Sequence, residues 1–244
     1  MIDAGAPVQV FDEIDSTILE ARRRAERGEL APVWLIARRQ TAGRGRRGRA
    51  WSSLDGNLFA TLLFTTDRPP AEIALLGFAT GVAMAESFDE IVGAGHATLK
   101  WPNDVFLDGA KAAGIMLDSG GAWAALAFGV NLAAAPEALD QPATSLRALL
   151  PPDVAAPEPL HFFAHMRPKL ERWSARIVSE GFEPLRAAWL ARAHGLGQAA
   201  RVLQGDVALE GRIAGLSPRG ELELDTAEGR RLVAAGDVLL SSAA

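Results

Sequence analysis

Between residues 98 and 132 the chain alternates three β-type runs with two glycine-bearing turns, Asp108-Gly109 and Gly120-Gly121. Turns this short join neighbouring antiparallel strands, because glycine accepts the positive φ of a tight hairpin; a parallel crossover needs a dozen or more residues. Residues 98–107, 111–118 and 122–132 are therefore expected to form an antiparallel meander rather than βαβ crossovers. Residues 8–11, 33–37 and 57–66 have the same β-type composition. Residues 71–92 instead repeat apolar side chains with helical periodicity, and Gly77 and Gly81 within them are expected to mark close packing on a sheet.

Thr17-Ile18-Leu19-Glu20 has the spacing of a capping box and predicts a helix ending near Gly28. A proline-rich linker at 151–159 precedes helical patterns at 160–179 and 184–193, with Pro168 expected to kink or split the first. Short β-type runs then follow at 200–203, 207–213, 221–224 and 231–233, separated by turns at Gly205-Asp206, residues 217–220 and Glu228-Gly229. The expected fold is α+β: a mixed, largely antiparallel sheet flanked by helices over residues 1–195, and a small β-barrel over residues 196–244. A chain of 244 residues has room for both.

Composition removes several classes of function. Cysteine is absent, so there is no disulfide framework, thiolate metal site or cysteine nucleophile, which fits a reducing, cytoplasmic setting. The N-terminus lacks a basic segment followed by an apolar one, so secretion is not expected. The apolar stretch 122–135 is interrupted by Asn131 and is shorter than the roughly 20 residues of a membrane span. His96, His161, His165 and His194 have no metal-ligand spacing. The net charge of -5 argues against a general nucleic-acid binder. Against that acidic background, residues 38–49 hold six arginines and no acid.

The core of this positive island is Gly43-Arg44-Gly45-Arg46-Arg47-Gly48-Arg49-Ala50-Trp51. Alternating glycine and arginine resists both helix and packed strand, which predicts a loop that stays mobile until an anion orders it. Glycines allow close backbone approach and guanidinium groups bind carboxylate or phosphate oxygens bidentately. By itself the run also fits a solvated basic loop or a nucleic-acid patch.

Its neighbours favour something narrower. Ser16-Thr17, Gln40 to Trp51, Gly56-Asn57-Leu58, Lys100-Trp101-Pro102-Asn103-Asp104, Lys111-Ala112-Ala113-Gly114-Ile115-Met116 and Gly129-Val130-Asn131-Leu132-Ala133 follow one another in this order. In order and spacing these segments resemble the biotin protein ligases, over about residues 10 to 135; the C-terminal part is similar in length and style only. The resemblance implies a class II synthetase-like catalytic domain with an SH3-like barrel. It also implies a two-step reaction, in which ATP with Mg2+ activates biotin to an adenylate and a lysine of a biotin carboxyl carrier domain receives the biotin.

Residue by residue, the resemblance assigns Ser16, Thr17, Gln40, Arg44, Gly45, Arg46 and Gly114 to biotin. It assigns Arg46, Arg47, Arg49, Trp51, Lys100, Asn103, Asp104, Lys111 and Asn131 to ATP or the adenylate, with Arg46, Lys111 and Asp104 catalytic. Three departures stand out: Ile18 replaces the family's asparagine after Ser-Thr, residues 51–57 lack a proline, and Asp118 stands where glutamate is frequent. Because the chain starts close to its first motif, no repressor-type helix-turn-helix domain and no operator binding are expected. The alternatives are a lipoate or octanoyl ligase of the same fold, or a nucleic-acid-binding module. The protein is expected to act as a monomer or homodimer, away from membranes and nucleic acid.

Overall fold

The computed structural model describes residue 2 and residues 5–137, 141–205 and 207–240. The predicted turn residue Asp206 and the last four residues assigned to the barrel lie outside the described residues. The chain opens with strand β1 (Val8–Ile14), helix α1 (Thr17–Glu26) and strand β2 (Val33–Gln40); the two strands pair in parallel. β3 (Leu58–Thr65) runs antiparallel to β2. After helix α2 (Pro70–Val92) come β4 (Ala97–Lys100), β5 (Asp104–Leu107), β6 (Ala110–Gly120) and β7 (Trp123–Val130). They form the expected antiparallel meander, and β7 returns to pair with β3. The seven-stranded order is β1-β2-β3-β7-β6-β5-β4.

Three local expectations are corrected. The run 98–107 is not one strand: it turns at Trp101 to Asn103, where Pro102 cannot donate to a ladder, and the hairpin sets Lys100 opposite Asp104. The capping box does not form. Ser16, not Thr17, occupies the N-cap of α1 without a side-chain cap bond, and Glu20 binds Arg23 and Arg24 instead. Pro168 does not split its helix, because α3 (Pro159–Glu180) runs through it. The interior proline costs about 3 kcal/mol. Burying Phe162, Phe163, Met166 and Leu170 on the same helix returns about 1.5–3 kcal/mol each, so the continuous helix wins.

Helix α2 is long and apolar enough to span a bilayer, yet 72% of that stretch is buried inside the protein. α3 and α4 (Glu183–Leu190) cover it on one side, through Phe88 against Phe162 and Phe78 against Trp189. On the other side Gly81 lets it approach the sheet: a Cβ there would lie 3.4 Å from Leu99 Cδ2. Gly77 also meets the sheet, through Leu117.

The C-terminal region is a second, wholly antiparallel sheet. Its strands are β8 (Ala199–Gln204), β9 (Val207–Leu216), β10 (Leu222–Thr226), β11 (Gly229–Val233) and β12 (Asp237–Leu240), ordered β11-β10-β9-β8-β12. The short β12 was not anticipated. This barrel has no isolated core: Val202, Ile213, Leu222 and Val238 belong to the same buried cluster as α2 and the large sheet. Trp101 fastens it further, its Nε1 donating to Gly220 O at 3.0 Å.

Candidate functional site

A cavity of about 410 Å³ opens between the ends of β2, β6 and β7, the 43–51 loop, the β4–β5 turn and the barrel edge. Every residue that the resemblance assigns to biotin or ATP lines it except Arg47. Its two ends differ in chemistry.

One end is neutral and hydrogen-bonding. Thr17, the first residue of α1, donates through its backbone N–H at 2.8 Å and its hydroxyl at 3.1 Å to Gln40 Oε1 at the end of β2. Thr61 on β3 donates in turn to Thr17 Oγ1 at 2.8 Å. The Gln40 backbone N–H donates to Ser53 Oγ at 2.7 Å, so both ends of this residue are held. With its oxygen engaged, the Gln40 amide has its nitrogen left to offer. Ser16 Oγ is buried and has no partner within the protein, an arrangement that costs of order 1–3 kcal/mol unless a ligand supplies one. Ile18 beside it is buried with Leu35, Leu63 and Ala127, and gives this end an apolar wall where the family asparagine would be polar.

The loop above the cavity has more internal structure than its composition predicts. Arg44 and Ala50 form an antiparallel bridge, Gly45 N–H donates to Arg49 O at 2.8 Å, and Trp51 N–H donates to Gly43 O at 2.9 Å. These bonds give the loop the form of a small hairpin closed by the bridge between Arg44 and Ala50. Trp51 then packs on Gly114 and Gly129, which face each other across β6 and β7. A Cβ at Gly129 would sit 2.5 Å from Trp51 Cε2 and Nε1, so only glycine leaves space for the indole.

The other end is cationic. Lys111 Nζ pairs with Asp104 Oδ1 at 2.7 Å and lies 5.6 Å from the Trp51 ring centroid. The Lys111 side chain is only 18% exposed, which separates it from an ordinary hairpin lysine. Arg46 Nη1 donates to Asn103 Oδ1 at 2.8 Å, and burial pulls its guanidinium below the ordinary value. Burial likewise lowers the Lys100 ammonium, and Asp104 opposes that shift. Lys100 lies over the Phe106 ring, and the half-buried His194 stacks against the same ring at 4.7 Å between centroids.

Several predicted ligand contacts already have protein partners. Asn103 Nδ2 donates to Ile115 O at 2.8 Å while its oxygen receives Arg46, so it fixes the β4–β5 turn and aims the arginine. Asn131 Nδ2 donates to Thr144 O at 3.1 Å, tying the end of β7 to the following loop. Arg47 turns away from the cavity and donates to Asp237 on β12. Sequence reasoning missed Thr61, Ser53 and Asp237. A threonine in a strand is ordinary, a serine in a loop such as Ser53 carries no special mark, and the partners of Asp237 lie 190 and 188 residues away.

Known proteins resemble this chain along most of its length. Residues 11–129 match the biotin/lipoate A/B protein ligase family, and residues 195–241 match the biotin protein ligase C-terminal domain. The chain is 37% identical to a biotin–[acetyl-CoA-carboxylase] ligase of Paracoccus denitrificans over 92% of its own length and 96% of that relative's. It is 33% identical to the enzyme of that name from Mycobacterium tuberculosis, over 98% of this chain and 92% of the relative. Among solved structures, the biotin protein ligase of Aquifex aeolicus in complex with biotin and ATP superposes with a TM-score of 0.82 at 25% identity, covering 96% of this chain and 98% of the other. The family models, the relatives and the fold together show that the chain belongs to the biotin protein ligase family.

Proposed function

We propose that the protein is an ATP-dependent biotin protein ligase: it activates biotin to biotinyl-5'-AMP with release of pyrophosphate, then transfers biotin to a lysine of a biotin carboxyl carrier domain such as that of acetyl-CoA carboxylase. The observation that carries this reading is the polarity of one cavity. An unpartnered buried hydroxyl and the Thr17–Gln40 pair stand at one end, and Arg46, Lys100 and Lys111 at the other. A ureido ring joined through an aliphatic chain to a carboxylate has the same sequence of demands, and the volume lies within the usual range of about 300–1,000 Å³ for small-ligand sites.

In the first step two anions, a carboxylate and a triphosphate, must meet in line. Arg46 and Lys111 neutralise the carboxylate and the α-phosphate, and Lys111 is held in place by Asp104 for charge that grows in the transition state. Arg44, Gly45 and Gly114 frame the biotin, while Arg49, Lys100 and Asn131 border the nucleotide and Trp51 offers its aromatic face to the adenine. In the second step Asp104, once Lys111 has moved to the phosphate, orients the acceptor amine and takes its proton as the amide forms and the anhydride bond breaks to release AMP. Among the described residues no group of three or more His, Asp or Glu side chains is placed to hold a metal ion, so Mg2+ would be held chiefly by the triphosphate that brings it. The division into a catalytic unit of residues 1–195 and a barrel of residues 196–244 belongs to the same proposal, with Leu203, Asp237 and Leu239 lending a barrel wall to the cavity. Dependence on ATP and the absence of cysteine fit a cytoplasmic setting.

The rival readings fit this cavity less well. A lipoyl ring is apolar and would leave the buried Ser16 hydroxyl without a partner. A nucleic-acid surface needs its central arginine turned outward, whereas Arg46 faces the cavity and is bonded to Asn103. Exchange of labelled pyrophosphate into ATP is expected only when biotin is present. Exchange that is absent, or that proceeds equally with lipoate alone, rejects the assignment.

A further inference from the structure

We propose that Asp237, an acid of the C-terminal barrel, is a positioning residue that grips Arg47 and Arg49 and so holds the 43–51 loop over the cavity with Arg46 aimed inward. Its consequence for catalysis rests on the ligase reading; its geometry does not. Arg47 Nη1 donates to Asp237 Oδ2 at 2.9 Å and Arg49 Nη2 to Oδ1 at 3.2 Å, so one carboxylate spans both arginines.

The backbone between the arginines explains why such a grip is needed. Arg47 has φ 55° and ψ 31°, a left-handed conformation that costs a non-glycine residue about 1–2 kcal/mol and persists only where its surroundings enforce it. The reversal separates neighbouring side chains: Arg46 goes to Asn103 in the large sheet, and Arg47 goes to the barrel. The far side of the grip is firm, because β12 pairs with β8, Asp237 sits opposite Leu203, and the adjacent Val238 is buried in the common core.

The grip is also releasable. Side-chain exposures of 43% for Arg47, 62% for Arg49 and 29% for Asp237 leave both ion pairs open to solvent and salt. A loop held this way opens for substrates and recloses over the adenylate. The barrel, remote in sequence, therefore controls how long the reactive anhydride stays enclosed.

The test compares the full chain with Asp237→Asn, Asp237→Glu and the double variant Arg47→Gln/Arg49→Gln. It reads hydrogen–deuterium exchange of residues 43–51 and the rate of biotinyl-adenylate release. Asp237→Asn is expected to speed loop exchange and adenylate release roughly three- to tenfold, the size set by two exposed ion pairs. It should raise the KM for ATP more than it lowers kcat, and Asp237→Glu should restore most of the loss. Added salt should accelerate release from the wild type and leave Asp237→Asn unchanged. Combining Asp237→Asn with the arginine variant should add nothing further. Equal loop exchange in wild type and Asp237→Asn, or an additive combination, overturns the proposal. A protein without biotin-dependent pyrophosphate exchange refutes the ligase reading instead, and loop exchange would still report on Asp237.

Discussion

The two ends of the cavity are built in different ways. At the neutral end, Ser16, Thr17, Gln40 and Thr61 sit on or at the ends of α1, β2 and β3; Thr17, Gln40 and Thr61 orient one another through hydrogen bonds, and the Ser16 hydroxyl is left for a ligand. At the cationic end, Arg46 comes from a loop, Lys100 and Asp104 from a hairpin, Lys111 from β6, and the loop is anchored by Asp237 from another sheet. Recognition of a neutral ring thus rests on helix and strand residues bonded to one another, while charge neutralisation rests on a hairpin and on a loop tied to a carboxylate 190 residues away. The arrangement suits the chemistry: ring binding benefits from preorganisation, whereas the phosphate end must admit ATP, release pyrophosphate and then admit an acceptor lysine.

The largest expected effect breaks the cationic end alone. Lys111→Met should reduce biotin-dependent pyrophosphate exchange about a hundredfold or more, because an electrostatic donor aimed at developing charge is commonly worth that much. Biotin affinity measured by calorimetry should change far less. A loss of biotin affinity as large as the loss of exchange would mean that the two ends are not separable.

Thr61→Val makes the reciprocal cut. It removes a hydroxyl that donates to Thr17 and leaves a similar shape, so biotin binding should weaken roughly three- to tenfold while kcat is kept, as for one net hydrogen bond of about 1 kcal/mol. A fall in kcat with unchanged KM for biotin would contradict the division of labour.

The smallest effect concerns pH. Burial and the neighbouring Lys100 hold His194 below its ordinary value of 6.5, so the folded protein keeps it neutral where the unfolded chain binds a proton. As pH falls from that value through the lowered folded one, the unfolded state takes up more protons, and stability must decline. His194→Gln should flatten this part of the profile in chemical denaturation while preserving neutral-pH stability. An unchanged slope would show that His194 carries no such linkage and that its proximity to Lys100 is electrically inconsequential.

Much of this was legible in the residues. The turns at Asp108-Gly109 and Gly120-Gly121 require antiparallel neighbours, and β5, β6 and β7 follow that rule. The motif residues converge on one cavity because they lie at strand ends and in loops on one side of the large sheet. The parallel pairing of β1 with β2 was not legible, since two β-type runs flanking a helix leave their relative direction to packing. Nor was the break at Trp101 to Asn103, because apolar residues on both sides look like one run until the Trp101 indole is seen bonded to the barrel.

The sequence by itself determined the α+β class, the meander, the positive island within an acidic chain and the set of groups able to handle a carboxylate and a triphosphate, because these depend on short-range backbone preference and side-chain chemistry. Tertiary structure alone decided which cation does what. Arg46 and Arg47 are adjacent and chemically identical, yet a left-handed residue sends one into the cavity and the other to Asp237. Periodicity and composition carry no information about a partner 190 residues away. Only the docking of the barrel onto the common core, driven by burial of apolar surface, brings that carboxylate to the loop.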